Sequence, residues 1–338
     1  MVIDGFGRPL STLRLSVTDR CNLRCSYCMP EATYQWLEKP HLLSFEELAR
    51  VVRILRAYGL DRVRITGGEP LLRQDLPKLV AMLAAVGVSD LSMTSNAVLL
   101  ARSASDLLLA GLKRLTVSLD TLKPDVFVKL AQRDELAAVR LSLDLVAGLG
   151  FHELKLDTVL VRGINHDEAV DLVRFAGDLG AEIRFIEYMD VGGATGWRPD
   201  LVVSQAELLQ ILAGAFGEAV ALPGRGAAPA QRFRLGNGQT IGIVASVTQP
   251  FCADCDRLRM TADGQLLACL YAKTGLDVRT SLRRGDSDDQ IGHQIGDFWR
   301  SRVDQGALQR AGMLERSGYV SLEELRTNPR LEMHTRGG

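Results

Sequence analysis

The sequence predicts an α/β fold in which six strand–helix units, between Thr12 and Met189, surround a polar interior. Three observations predict it. Short runs with period-two alternation recur between amphipathic stretches, so successive strands are parallel and joined by right-handed helical crossovers. Each run keeps its apolar residues on one face and its polar residues on the other. The polar set carries Arg14, Arg62, Arg64, Lys155 and Arg184, whereas fully buried strands read as continuous apolar runs and a closed barrel fills its lumen with branched side chains.

In chain order the strands are expected at 12–18, 62–66, 91–95, 114–119, 153–161 and 182–188. Leu13, Leu15 and Val17 alternate with Arg14, Ser16 and Thr18; Val63 and Ile65 alternate with Arg62, Arg64 and Thr66. Leu91 and Met93 oppose Ser92, Thr94 and Asn96, and Leu115, Val117 and Leu119 oppose Thr116, Ser118 and Asp120. Leu154, Leu156 and Leu160 oppose Lys155 and Asp157, and Ile183 and Phe185 oppose Glu182 and Arg184. Helices are expected near 44–58, 75–86, 103–110, 134–148 and 166–179, the first opening with Ser44 and Glu47 at capping-box spacing. A cation-bearing face describes either a wide cavity for a large anionic ligand or a sheet with one solvated side. Six strands in one phase favour the cavity.

After Met189 the texture changes. Residues 191–200 are glycine-rich, 204–213 read as a helix, and 231–247 alternate as a hairpin turning at Gly236-Asn237-Gly238. A charged helical region follows near 286–304, then a polar tail ending in Gly337-Gly338. The expected division is a barrel over 1–190 and an α+β extension over 191–338.

The 338 residues carry 40 Lys and Arg against 41 Asp and Glu, a net charge of −1, and 46% are hydrophobic. That balance argues against duplex DNA or another bulk nucleic acid as the partner. No apolar run reaches the ~18 residues of a membrane span, and Met1 to Leu10 lacks the apolar centre of a signal peptide. A cytoplasmic protein without a membrane partner is expected.

The six cysteines fall in two groups, Cys21, Cys25 and Cys28, then Cys252, Cys255 and Cys269. A disulfide framework suits neither this grouping nor a reducing compartment, so two metal sites are expected. The first group follows strand one, in the kind of loop where barrel active sites gather. Three thiolates would hold three irons of a four-iron cluster and turn the fourth toward the pocket; a structural zinc is the alternative. The second group is either another open cluster or a zinc clip pinning the extension. Arg257 and Arg259, between its thiolates, share one strand face and suit a phosphate or nucleobase, unless they are two surface arginines.

The first spacing, with Tyr27 just before the third cysteine, resembles the radical S-adenosylmethionine (SAM) superfamily, and Gly67-Gly68-Glu69-Pro70 resembles its glycine motif. Further matches run from Leu13 to Cys21, Ile65 to Arg73, Val117 to Asp120 and Arg184 to Asp190. With Pro250-Phe251-Cys252, Cys255, Arg257, Arg259, Cys269 and the closing diglycine, essentially the whole chain resembles the GTP 3′,8-cyclase family of molybdenum cofactor biosynthesis. The resemblance implies an incomplete (β/α)6 TIM-type barrel whose lateral opening is covered by the C-terminal extension.

It also implies two 4Fe-4S clusters, one on Cys21, Cys25 and Cys28 and an auxiliary one on Cys252, Cys255 and Cys269. SAM would meet Tyr27, Gly68, Ser118 and Met189. GTP would meet Arg14, Arg64, Thr94, Lys155, Arg257 and Arg259, with Arg62 and Arg184 as further triphosphate contacts. Arg257, Arg259, Gly337 and Gly338 would serve catalysis. The implied reaction splits SAM to a 5′-deoxyadenosyl radical that takes the ribose 3′ hydrogen; the carbon radical attacks guanine C8, and an electron and a proton complete the product. Implied partners are an electron donor such as flavodoxin or ferredoxin and a cyclic pyranopterin monophosphate synthase that receives the product; monomer and homodimer both stay open. Two departures stand out: Asp256 replaces an uncharged Asn, and Ser95-Asn96-Ala97 replaces Thr-Asn-Gly. The competing readings are a peptide-maturing radical SAM enzyme and a non-enzymatic zinc or iron–sulfur module.

Overall fold

Leu13 and Leu15 on the first strand, Val63 and Ile65 on the second, and Leu91 and Met93 on the third are all buried beneath helices, as the alternation requires. These positions belong to a computed structural model that describes residues 1–31, 33–313 and 315–337. The six expected strands are β1 (Thr12–Ser16), β2 (Arg62–Thr66), β3 (Asp90–Ser95), β4 (Arg114–Ser118), β5 (Glu153–Leu160) and β6 (Glu182–Glu187). All neighbours are parallel, in the order of the chain.

The helices between them are α1 (Phe45–Ala57), α2 (Leu76–Ala85), α3 (Ala104–Leu109), α4 (Pro124–Ala131), α5 (Leu136–Ala147) and α6 (Ala169–Asp178). Helix α1 begins with the expected capping box: the Glu47 amide donates to Ser44 Oγ at 3.2 Å and the Ser44 amide to Glu47 Oε2 at 2.7 Å. Its Leu48, Val51, Val52 and Leu55 are buried, each contributing roughly 1.5–3 kcal/mol of apolar transfer. Helix α4 was not among the expected elements. It spans 8 residues, buries Phe127, Leu130 and Ala131, and starts on Pro124, whose fixed φ suits a first turn.

The extension adds α7 (Gln205–Phe216), β7 (Val220–Ala221), β8 (Gln231–Arg234), β9 (Thr240–Val244), β10 (Arg257–Met260), β11 (Gln265–Leu267) and β12 (Leu276–Asp277). It then runs through α8 (Val278–Arg284), α9 (Asp288–Arg300), α10 (Gly306–Ala311) and α11 (Leu322–Thr327). Its strands join the central sheet at both edges, in the order β12-β11-β10-β1-β2-β3-β4-β5-β6-β9-β8-β7. Strand β10 runs parallel to β1, and β9 parallel to β6. The outer strands return antiparallel; β8 and β9 form the expected hairpin. No helix among the described residues is long and apolar enough to cross a membrane.

Candidate active site

Strand pairing places the polar residues in lateral rows. Arg259 on β10 stands opposite Arg14 on β1, which stands opposite Arg64 on β2; one pleat away, Arg257, Thr12 and Arg62 form the same kind of row. Residues of β10, of β1 to β6 and of β9 all line a single cavity of about 470 Å³, so the sheet curves around it. That cavity gathers all six cysteines with Tyr27, Gly68, Ser118, Met189, Arg14, Arg62, Arg64, Thr94, Arg184, Arg257 and Arg259. Lys155 does not line it. Gly337 is not in its lining either, but its carbonyl accepts from two residues that are, Arg14 and Arg259; Gly338 lies outside the described residues.

The loop of the first trio is pinned from outside by α4: the amides of Arg24 and Ser26 donate to the carbonyls of Ala131 and Leu130, each at 2.9 Å. From inside, the Cys28 and Met29 amides close on the Cys25 carbonyl at 2.8 Å. Two glycines permit backbone contact here. A Cβ on Gly68 would lie 2.3 Å from the Arg20 carbonyl oxygen, and one on Gly193 would lie 2.2 Å from that of Cys28. Glu69 ties the glycine motif to the third strand, its carboxyl accepting from the Asn96 amide at 2.7 Å and Ser95 Oγ at 2.9 Å. Asn96 in turn points its amide at Cys21 Sγ, 3.8 Å away. Ala97 has φ 62°, so the glycine expected there answers a left-handed backbone that costs an alanine roughly 1–2 kcal/mol.

Burial raises the thiols of this trio. Cys21 is pushed up to about 11 by burial and Glu69. Cys25 is raised by burial, Asp120 and Cys21; Cys28 by burial, Cys25 and Cys21. Tyr27 donates its hydroxyl to Asp120 at 2.5 Å. Cys252 is raised by burial and by Cys269 and Cys255, and all three line one cavity although β10 and β11 separate Cys255 from Cys269 in the chain. Cys255 differs: burial opposes its ionisation, but Arg257 and Arg302 outweigh it and bring the thiol down to about 6.

All six cysteines are free of disulfides. Among the described residues no group of three His, Cys, Asp or Glu side chains is arranged to hold a single metal ion, as a closed zinc site with four ligands about 2.0–2.3 Å from the metal would require. Three thiolates spread over three irons suit each trio better. Iron binding would displace the raised thiol protons.

The cations of the polar face are not equivalent. Arg62 is paired with Asp256 at 2.6 Å, Arg184 with Glu182 at 3.1 Å, Arg114 with Asp90 and Glu153, and Lys155 with Glu153. Burial and Arg184 bring the Lys155 ammonium down to about 8. Among the described residues Arg14, Arg64, Arg257 and Arg259 make no ion pair. Burial and then Arg259, Arg64 and Arg257 push Arg14 well below the arginine range; burial and Arg257 bring Arg259 down to about 9. Burial brings Arg64 down to about 10, Asp157 only partly opposing it. A guanidinium keeps its proton in proteins, so a bound anion would relieve this crowding. Asp256, the departure noted in the sequence, is a buried partner of Arg62, Ser11 and Thr12 rather than a bare charge.

Three features escaped the sequence. Asp157, whose place on the polar face was legible, lines the cavity with a buried Oδ1 that accepts no hydrogen bond among the described residues; that lack of a partner is what the sequence did not show. Gly193 was visible only as one glycine of a rich stretch. Asp190, directly after Met189, binds Arg310, Arg316 and the Tyr271 hydroxyl at 2.7, 2.9 and 2.7 Å. Its arginines lie 120 and 126 residues away, and nothing local announces them.

The Radical SAM superfamily matches residues 15–176 and the Molybdenum Cofactor Synthesis C family residues 181–308. A "GTP 3',8-cyclase 3" of Mycobacterium bovis is 48% identical over 340 residues, covering 99% of this chain and 90% of that protein. "GTP 3',8-cyclase 1" of Mycobacterium tuberculosis is 48% identical over 342 residues, covering 100% and 95%. The cyclase of Acidothermus cellulolyticus is 44% identical over 319 residues, covering 91% and 88%. In fold the chain resembles Streptococcus suis SuiB bound to its precursor peptide, with TM-score 0.63 and 15% identity over 90% of this chain and 67% of that one. The chain belongs to the GTP 3′,8-cyclase family of radical SAM enzymes.

Proposed function

We propose that this chain holds SAM beside the first cysteine trio and GTP along the arginine row, converting the nucleotide to (8S)-3′,8-cyclo-7,8-dihydroguanosine 5′-triphosphate, the first step of molybdenum cofactor biosynthesis. The observation that carries this reading is one cavity lined by both trios and by four arginines that have no ion pair among the described residues. When bound, the first 4Fe-4S cluster supplies the electron that cleaves SAM and so starts hydrogen abstraction from the ribose.

The chain's own residues bind and orient. A triphosphate carries roughly four negative charges, and charge-assisted hydrogen bonds strengthen in a water-poor site. Arg14, Arg64, Arg257 and Arg259 supply them, with Thr94 adding a hydroxyl. Tyr27, Gly68, Ser118 and Met189 contact SAM, Gly68 by letting backbone approach closely. Arg62, Lys155 and Arg184 reach phosphate only by exchanging their present carboxylate partners. Gly337 and Gly338 bring side-chain-free backbone to the substrate and act in catalysis together with Arg257 and Arg259. Cys252, Cys255 and Cys269 would hold the auxiliary 4Fe-4S cluster, which would supply an iron site for the guanine base. Fixing base against ribose in a near-attack arrangement is the protein's main contribution to rate.

The enzyme works in the cytoplasm, takes electrons from a flavodoxin- or ferredoxin-like donor and passes its product to cyclic pyranopterin monophosphate synthase. Residues 1–190 serve as the SAM-cleaving unit and 191–338 as the unit that completes the nucleotide site. The test is anaerobic incubation of iron-loaded protein with SAM, dithionite and GTP. Nucleotide-dependent 5′-deoxyadenosine and the cyclised nucleotide are expected, with about eight irons per chain from two four-iron clusters. Zinc in place of iron, or deoxyadenosine indifferent to GTP, would sink the reading. Cys25→Ser should abolish deoxyadenosine, whereas Cys269→Ser should retain some SAM cleavage and lose cyclisation.

A further inference from the structure

Beside the second cysteine trio, outside the cavity lining, lies a buried ionic cluster built from the N-terminal segment and the turn after α9. Asp4 and Arg8 precede the first strand; Arg302 follows α9. Asp4 accepts from Arg8 Nε at 2.6 Å and from Arg302 Nη1 at 3.3 Å, and the three side chains are 0–2% exposed. Each arginine then reaches a cysteine of the trio. Arg8 Nη1 donates to the Cys252 carbonyl at 2.8 Å, and Arg302 Nη1 to the Cys255 carbonyl at 2.7 Å. Trp299, fully buried, holds both: its indole N–H donates to the Arg8 carbonyl at 3.1 Å and its ring lies 4.5 Å beneath the Arg302 guanidinium.

Such a cluster is an expensive way to hold a loop. Taking ions out of water costs several kcal/mol each, and well-packed apolar side chains often serve stability as well or better. What apolar packing does not provide is field. Two guanidiniums against one carboxylate leave a net positive charge beside three thiolates. The potential of an iron–sulfur site follows its surrounding charge and hydrogen bonds, and positive charge favours the reduced form.

We propose that Arg8 and Arg302, balanced by Asp4, are positioning residues for the second cysteine trio that raise the reduction potential of its cluster. The inference rests on the reading that this trio holds an iron–sulfur cluster. It makes the N-terminal segment, which precedes the barrel in sequence, part of the auxiliary site.

The test is a redox titration of anaerobically prepared holoenzyme followed by electron paramagnetic resonance, with the signal of the second cluster assigned in Cys25→Ser. Arg302→Gln removes a positive charge and should shift the midpoint downward. Asp4→Asn removes the negative charge and should shift it upward. Arg302→Lys keeps the charge and should stay near the parent value. Thermal unfolding of the iron-free proteins reports the purely structural contribution, which cannot produce shifts of opposite sign. Shifts in one direction only, an unmoved midpoint in Asp4→Asn, or Arg302→Lys behaving like Arg302→Gln would overturn the proposal while leaving the cyclase reading intact. A parent enzyme with no iron on the second trio would overturn the reading beneath it.

Discussion

Arg259 and Arg14 face one another across β10 and β1, and both donate to the carbonyl of Gly337, at 2.8 and 3.1 Å. Two strands separated by more than two hundred residues and the end of the tail thus meet at one oxygen. The same two guanidiniums carry no carboxylate partner among the described residues, so their charge is directed at whatever enters the cavity.

Removing either should therefore weaken GTP. Arg259→Ala or Arg14→Ala is expected to cost about 2–5 kcal/mol of nucleotide affinity, the range for truncating one partner of a buried charged pair. Equilibrium dialysis of the iron-loaded protein with GTP measures it. Unchanged affinity in both variants would remove the arginine row from the binding site.

Gly337 has φ 69°, and a Cβ there would lie 2.7 Å from Thr66 Oγ1 and 3.2 Å from Ser16 Oγ. Gly337→Ala meets both a left-handed backbone penalty of roughly 1–2 kcal/mol and the cavity wall. Cyclised product should fall by an order of magnitude or more while the thermal unfolding midpoint stays put, since the tail's last turn carries little of the core. A fully active Gly337→Ala would show that the docked tail has no part in turnover.

Within the glycine-rich stretch two positions make opposite predictions. Gly193 sits against the Cys28 backbone, whereas a Cβ on Gly196 would meet nothing within 4 Å. Gly193→Ala should displace the first cysteine loop at a cost of about 1–3 kcal/mol, as overpacking does, and reduce iron on the first trio. Gly196→Ala should load iron as the parent does. Iron analysis and deoxyadenosine yield distinguish them, and equal behaviour would contradict the close approach.

Asp190 fastens the segment around α10 to the end of β6. Burial alone would raise its carboxyl, but hydrogen bonds from Arg316, Tyr271 and Arg310 outweigh it and hold it below the ordinary range. A carboxyl lowered in the folded state stabilises above its unfolded value of about 3.9 and loses that contribution as pH falls through the lowered value. Limited proteolysis of the 305–337 segment should therefore accelerate on acidification below about pH 4. Asp190→Asn should release the segment at neutral pH, at a cost of about 3–5 kcal/mol for two stranded arginines. Equal protease resistance in parent and variant at pH 7 would refute the clasp.

Much of this architecture is legible in the sequence alone. Period-two alternation is a property of each segment alone, so the phase of every central strand, and with it the inward placement of Arg14, Arg64 and Arg184, followed from the residues in order. Capping at Ser44, the two cysteine trios, and the shared face of Arg257 and Arg259 are equally local. Helix α4 escaped although its buried Phe127, Leu130 and Ala131 recur at helical spacing.

What the tertiary structure alone decided is which distant segments meet. That β10 lies parallel to β1 determines that Arg259 joins Arg14 rather than facing solvent, and no local pattern encodes a register across such a separation. Pairing of Lys155 with Glu153 and of Arg62 with Asp256 subtracts cations that the sequence counted as free. Asp4, Arg8, Arg302 and Asp190 were silent in the sequence because an ion pair is legible only when both partners are placed. Periodicity specifies the faces of each element; packing free energy, summed over contacts between remote parts of the chain, selects the neighbours of each face.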